Sequence, residues 1–406
     1  MQRFFAESPL WITRRLTMVN KFITIEDVLD KDNITKAIKC VAKRNGCAGV
    51  DGMSAKELYG FWDMHGDKVS KMIREGTYIP APAKRGYVSK PGKKEKRTLA
   101  IPTVLDRMIQ NAILFILEKN YEQVFHNSSY GFRKGRNTYM AIQKCLQYMN
   151  EGYIYVADID IASFFDNVRQ DKLIGLLEND IKDESLIKLI KRYIKTEISV
   201  GEYYKKKKRG IIQGGPLSPL FANIVLNEFD WYLDSLGLKF VRYADDVVIM
   251  SKNIDDSKTS KTVAELYLKR ELGLEINNSK TKLIEASDLK YLGVAFGMNS
   301  DDIYELKINR DIKEKFYSNV KRNINKSMSD EIKWWNRIGG FNRGWINYYY
   351  KTNKEEMQSF LEDAELYQYK LLHKKISDKK IMWALLDSKQ YILLSEWYDE
   401  LKRREG

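Results

Sequence analysis

The stretch KFVRYADDVVIMSK, Lys239 to Lys252, decides how the rest of this chain is read. Phe240 and Val241 precede its centre, Tyr243-Ala244-Asp245-Asp246, and Val247, Val248, Ile249 and Met250 follow it. Apolar, β-branched runs broken by a short polar pair predict a hairpin, with the two acids at its turn. Adjacent carboxylates in apolar surroundings repel each other and resist desolvation, so they need a compensating group. A divalent cation supplies one, because hard oxygen ligands suit Mg²⁺. An isolated Asp-Asp pair is more often a solvated turn. The remainder of the chain chooses between the two.

A chain of 406 residues, 44% hydrophobic and 12% aromatic, has enough apolar material for two or three packed units. Lys and Arg number 69 against 55 Asp and Glu, a net charge of +14. So basic a surface favours a polyanionic partner, either nucleic acid or an anionic membrane face. The three cysteines (Cys40, Cys47, Cys145) and three histidines (His65, His126, His373) show no metal-binding spacing, which argues against structural zinc. Sparse, odd cysteines fit a reducing cytoplasmic setting. With no apolar run of 18 residues, no membrane span is expected. The N-terminal MQRFFAESPLWITRRL lacks a signal-peptide core.

Upstream, a helical pattern around Ile34, Ile38 and Val41 ends in the turn-rich loop Asn45–Gly52, and Leu58–Glu75 is again helical. Pro80 and Pro82 keep Thr77–Pro82 extended. GYVSKPGKKEKRTLAIPT reads as two short strands around a Lys-rich turn, a natural cover for a triphosphate or a nucleic-acid backbone. Asp106–Tyr121 has the 3.6-residue period of a long buried helix. After it, Arg133, Lys134 and Arg136 stand beside Tyr130 and Phe132, a mixture that suits single-stranded nucleic acid and equally suits an aromatic core.

Tyr153–Ile161 reads as a buried strand interrupted by Asp158 and Asp160. A period of two puts both acids on one face, so spacing does not say which of them takes a metal. Two-metal polymerase sites gather carboxylates from separate strands, and this would be the second acidic element. Lys205–Arg209 is a charge run of the kind that is usually solvated, and Gly210–Pro219 is a glycine-rich loop opening a helix. From about residue 303 the pattern is helical, with Trp334, Trp335, Trp345 and Tyr348–Tyr350 placed in a core first and against RNA second.

The motifs, in order, are NGCAGVDGM, KRTLAIPTVLDRMIQ, SYGFRKGRN, DIASFFDNV, QGGPLSPLFANIVLNEFD, FVRYADDVVI, SKTKL, KYLGV and FNRGWINYYY. Together they resemble bacterial group II intron-encoded reverse transcriptases, or maturases, from about residue 34 to about 372. The resemblance implies an α+β right-hand polymerase with fingers, an antiparallel-sheet palm and a helical thumb. Its divisions would be an extension and template-covering loop at 1–58, fingers at 59–152, palm at 153–302, thumb at 303–372 and a short tail at 373–406.

Carried over residue by residue, the resemblance makes Asp160, Asp245 and Asp246 catalytic. Those three, with Ile161, would ligate two Mg²⁺ ions, for which Mn²⁺ is a possible substitute. Lys90, Arg97, Phe165, Gln213 and Lys280 would meet the dNTP, with Phe165 excluding a ribose 2′-hydroxyl. Asn45, Arg133, Arg136, Gly214, Tyr243, Arg343 and Trp345 are the expected nucleic-acid contacts. The implied partners are a structured RNA template, intron or non-coding, a DNA or RNA primer, and dNTPs. The implied activity is RNA-directed DNA polymerisation in a maturase. The alternative is a domesticated group II-like enzyme, for instance in antiphage defence, that copies a dedicated non-coding RNA. Neither zinc-binding cysteines nor a nuclease motif follows the thumb-like segment, so no HNH endonuclease is expected.

Overall fold

The computed structural model describes residues 23–89, 96–200, 203–205, 209–325, 331–376 and 393–405. Two compact units make up the chain: residues up to Ala141 with Ala157–Leu283, and Ile142–Val156 with Ile284 onward. The boundaries expected at 152/153 and 302/303 do not coincide with these units.

In the first unit, helices Ile25–Leu29, Lys31–Arg44 and Leu58–Arg74 come first. Thr24 and Asp27 form a reciprocal capping box, and the Asp30 side chain caps the next helix. Strands β1 (Ala83–Ser89) and β2 (Lys96–Ile101) pair antiparallel, with Val88 opposite Arg97, as the basic hairpin pattern predicts. The turn between them, with Lys90, lies outside the described residues.

Helix Val104–Tyr121 is buried on most sides, including Asp106 at its start. A buried carboxylate is tolerable only when it is bonded. Asp106 accepts from Tyr78 Oη (2.8 Å), Tyr193 Oη (3.1 Å), Thr103 Oγ1 (2.7 Å) and the Ala81 amide (3.1 Å). These bonds pin the extended segment before β1 and helix Glu184–Ile194 to one point.

β3 (Tyr155–Asp160) leads into a short helix, Phe164–Asn167. β4 (Ile198–Val200) runs parallel to β1, and β5 (Tyr203–Lys205) completes a sheet ordered β2-β1-β4-β5. Helix Ser218–Ser235, hydrophobic nearly all round, is a core helix. β6 (Lys239–Tyr243) and β7 (Asp246–Ser251) form the predicted hairpin, and β8 (Lys282–Glu285) ends a second sheet ordered β6-β7-β3-β8.

The second unit holds β9 (Lys290–Tyr291), β10 (Val294–Met298) and β11 (Tyr304–Lys307) in the order β11-β10-β9. Helix was expected from residue 303. Instead Tyr304–Lys307 is a strand, because Leu306 and Tyr304 find partners in Phe296 and Met298 across an antiparallel ladder. Helices Arg310–Asn325, Glu331–Tyr349, Lys354–Lys375 and Leu394–Glu405 follow. They pack on Phe316, Trp334, Trp335 and Phe360, all fully buried. By area, a buried Phe of this kind stabilises by roughly 1.5–3 kcal/mol. Trp334 and Trp335 are core residues, as expected. Trp345, expected against nucleic acid, packs its ring 4.6 Å from Phe360, 5.0 Å from Phe316 and 4.5 Å from Tyr349, centroid to centroid. No helix among the described residues is long and apolar enough to cross a membrane.

Candidate active site

The β6–β7 hairpin folds because Phe240 and Val241 on one strand and Val247–Met250 on the other are buried together. Tyr243 pairs with Asp246, so the turn proper is Ala244-Asp245, and Asp246 opens β7 where the sequence placed it in the turn. Ala244 has φ +58°, the positive value that a tight two-residue hairpin turn demands of its first central residue.

Asp160 ends β3. Its amide donates to Thr281 Oγ1 (3.2 Å) and its carbonyl accepts from the Asn277 amide (2.7 Å). The Asn277 side chain accepts from Ser279 through both its amide and its hydroxyl, and the turn so formed delivers Lys280. Lys280 Nζ lies 3.1 Å from Asp160 Oδ2 and 3.3 Å from Oδ1. Asp160, Asp245 and Asp246 line one cleft of about 1380 Å³, whereas Asp158 does not. Of the two acids that period two leaves on one face, Asp160 is the one at the cleft.

Electrostatics mark the cleft. Burial, reinforced by Asp160, raises the Asp245 carboxyl above its ordinary range, while Arg97 and Arg242 oppose the rise. Asp246 keeps an exposed rim but stands low among other acids. Burial, then Asp245, Asp158 and Asp160, push it up to about 6. Crowded carboxylates that hold protons this tightly form a donor set suited to cations. Among the described residues, no three acidic, histidine or cysteine side chains converge on a single point that would hold an ion. Lys280 instead neutralises Asp160, acting as the local counter-charge.

The glycine loop reaches the same cleft. The Ile211 amide donates to the Phe165 carbonyl (2.8 Å), and the Ala100 amide donates to the Gln213 carbonyl (2.7 Å). Gly214, at φ +112°, sits so close to β2 that a Cβ would fall 2.8 Å from the Ala100 oxygen. Phe165, Gln213, Gly214, Arg97, Ile161 and Lys280 all line the cleft. Asn45, at φ +42°, caps its helix, and the loop after it is fastened to the helix at 104–121. Arg107 Nη2 donates to the Cys47 carbonyl at 2.6 Å, and a Cβ on Gly49 would lie 2.6 Å from Thr103 Cα.

Arg133 is a correction. It is 6% exposed, and its guanidinium is consumed by Glu122 and by the His126 and Ser129 carbonyls, so it presents nothing to a ligand. Arg136 is half-buried and braces the same loop through the Asn127 and Ser129 carbonyls. Tyr243 lies on β6 beside the turn, outside the cleft lining, and Arg343 lies on helix Glu331–Tyr349 of the second unit. Sequence reading passed over Arg107 and Gly131 of the first unit, and it named Phe132 only as an aromatic neighbour of the basic run. Phe132, 49% exposed at φ +59°, and Arg107 line the cleft. Gly131 presses on the acidic turn, its hypothetical Cβ 2.2 Å from the Ala244 nitrogen. The basic-aromatic run that holds Phe132 and Gly131 was the available sequence signal; the positive φ of Phe132 shows only in the fold.

A hairpin carrying paired carboxylates, a third carboxylate at the end of a neighbouring strand, and a basic two-stranded flap over one cleft define an α+β polymerase fold. The chain belongs to the reverse transcriptase (RNA-dependent DNA polymerase) family, whose model matches residues 88–296. Members of that family generally use divalent metal ions. Group II intron-encoded protein LtrA of Lactococcus lactis subsp. cremoris is 37% identical over 198 residues, 49% of this chain and 33% of that protein. Protein YkfC of Escherichia coli K12 is 30% identical over 279 residues, 59% of this chain and 73% of that protein. Nuclear intron maturase 2 of Arabidopsis thaliana is 27% identical over 216 residues, 42% of this chain and 29% of that protein. The chain therefore spans about a third of LtrA, and within the reverse transcriptase family it is similar to group II intron-encoded proteins.

Proposed function

We propose that the protein is an RNA-directed DNA polymerase that works as a group II intron-type maturase, bound to a structured RNA that serves as template. The observation that carries the reading is the meeting of Asp160, Asp245 and Asp246 on one cleft, where burial raises the Asp245 and Asp246 carboxyls above their ordinary range. These three side chains, with the Ile161 backbone, are the groups to hold two Mg²⁺ ions. Bound there, such ions would lower the pKa of a primer 3′-hydroxyl and neutralise charge on the transferring and leaving phosphates.

The chain's own residues supply the rest. Arg97 on β2 faces the cleft from the flap and takes the triphosphate; Lys90, outside the described residues, is its proposed companion. Lys280, now paired with Asp160, is free to turn to phosphate once a cation takes its place. Phe165, held by its backbone bond to Ile211, stands where a 2′-hydroxyl would collide. Gln213 and Gly214 present backbone close to β2 for the template and the incoming base, and Phe132 and Arg107 extend that surface. The segment at 303–372, helical from Arg310 onward, is the proposed thumb, with Arg343 as its nucleic-acid contact.

Primer extension on an RNA template with purified protein tests the reading. The wild type should incorporate dNTPs in Mg²⁺ or Mn²⁺, and the Asp245→Ala/Asp246→Ala double variant should not. Extension that survives the double substitution, or that prefers NTPs, would overturn it.

A further inference from the structure

Arg242, the penultimate residue of β6, has no exposed surface, and neither do Asp230 and Asn223 of helix Ser218–Ser235 or Ser129 of the loop at 126–133. A guanidinium has five N–H donors. All five are used. Nε donates to Asp230 Oδ1 (2.7 Å) and Nη2 to Asp230 Oδ2 (2.5 Å), a fork-to-fork pair. Nη2 also donates to Ser129 Oγ (2.7 Å), while Nη1 donates to Asn223 Oδ1 (2.9 Å) and to the Ala244 carbonyl (2.8 Å). The last of these bonds leaves the scaffold: Ala244 is the positive-φ residue of the turn that carries Asp245.

The opposite side of the turn is blocked. Asn223 Nδ2 donates to the Gly131 carbonyl (2.9 Å), and the 128–130 segment exchanges backbone bonds with Arg242. Gly131 is thereby held with its Cα against the Ala244 amide, where no side chain fits.

We propose that Arg242 is a positioning residue, whose grip on the Ala244 carbonyl, backed by Gly131, aims the Asp245 and Asp246 carboxylates into the cleft. The inference rests on the polymerase reading of that cleft. Burying an ion pair is a poor way to gain stability, since apolar residues of similar volume fill such a site as well or better. What they do not supply is a fixed donor for a strained carbonyl. Lysine does not supply it either: one ammonium with three donors on a flexible stem does not serve Asp230, Asn223, Ser129 and Ala244 together.

The test compares Arg242→Lys and the apolar swap Arg242→Met/Asp230→Leu with wild type in the full chain. Three quantities are read: the urea midpoint, kcat and KM for dNTP in primer extension, and Mn²⁺ affinity from the free-ion paramagnetic resonance signal without turnover. The clamp predicts that the double variant regains a near-wild-type midpoint. It also predicts that both variants lose at least tenfold in kcat with KM for dNTP within threefold, and bind Mn²⁺ several-fold more weakly. If kcat and Mn²⁺ affinity return to within threefold of wild type in the swap, or survive in Arg242→Lys, Arg242 is merely structural and the proposal falls. Should the swap fail to fold, Arg242→Lys decides alone. Absence of extension by the wild type would refute the polymerase reading instead, and Mn²⁺ affinity would still report on the clamp.

Discussion

Asp246→Asn separates the structural cost of the crowded cleft from its chemical use. In the folded chain the Asp246 carboxyl titrates at about 6 instead of 3.8, because of burial first and then Asp245, Asp158 and Asp160. A shift of about two units is roughly 3 kcal/mol between the ionised and neutral forms. Asp246 keeps a solvent-exposed rim, and screening lowers the share felt by folding to about 1 kcal/mol. The sign follows from proton linkage. The folded pKa lies above the unfolded one, so the native state binds the proton more tightly and stability falls as pH rises from about 4 to about 6. Ionised Asp246 therefore costs stability above about pH 6, and the cost is gone below about pH 4. Removing the charge should make chelator-treated Asp246→Asn more stable than wild type by about 1 kcal/mol at pH 8. The gain should fade between pH 6 and pH 4.5, as read by urea denaturation along a pH series. The same variant in Mg²⁺ should lose on the order of 100-fold or more in primer extension, as removal of a group that organises transition-state charge does. Equal stability at pH 8, or a gain that persists undiminished to pH 4.5, refutes the reasoning.

Phe165→Ala should cut discrimination against ribonucleotides by about tenfold or more; an unchanged NTP-to-dNTP ratio in competitive extension would remove Phe165 from that role. Gly214→Ala puts a Cβ 2.8 Å from the Ala100 oxygen at φ +112°. It should destabilise by roughly 1–3 kcal/mol and raise KM for dNTP, and a normal denaturation midpoint would mean that the loop is not held against β2. Lys280→Ala removes the ammonium 3.1 Å from Asp160. Single-turnover extension should slow by roughly tenfold or more, and an unaltered rate would make that pair incidental.

Local chemistry was legible wherever the signal was local. The hairpin at 239–251, the buried helix at 104–121 and the basic strand pair around residues 90–95 each rest on a periodicity or a turn within a dozen residues. The strand at Tyr304–Lys307 was missed because four residues carry too little pattern; its partner β10 makes it a strand. Arg133 was misplaced because a basic residue between aromatics reads alike whether it meets RNA or, as here, Glu122.

The amino-acid order alone determined the family, the paired acids at 245 and 246, and a third carboxylate that spacing left at 158 or 160 and the resemblance assigned to Asp160. Tertiary structure places Asp160 and not Asp158 on the cleft, a distinction that strand spacing does not make because residues two apart share a face. It also decided what Arg242 is for. An arginine beside an acidic pair looks like a surface charge until Asn223, Asp230 and Ser129, distant in sequence, close around it. A buried charge takes its meaning from its partners, and only folding brings those partners together.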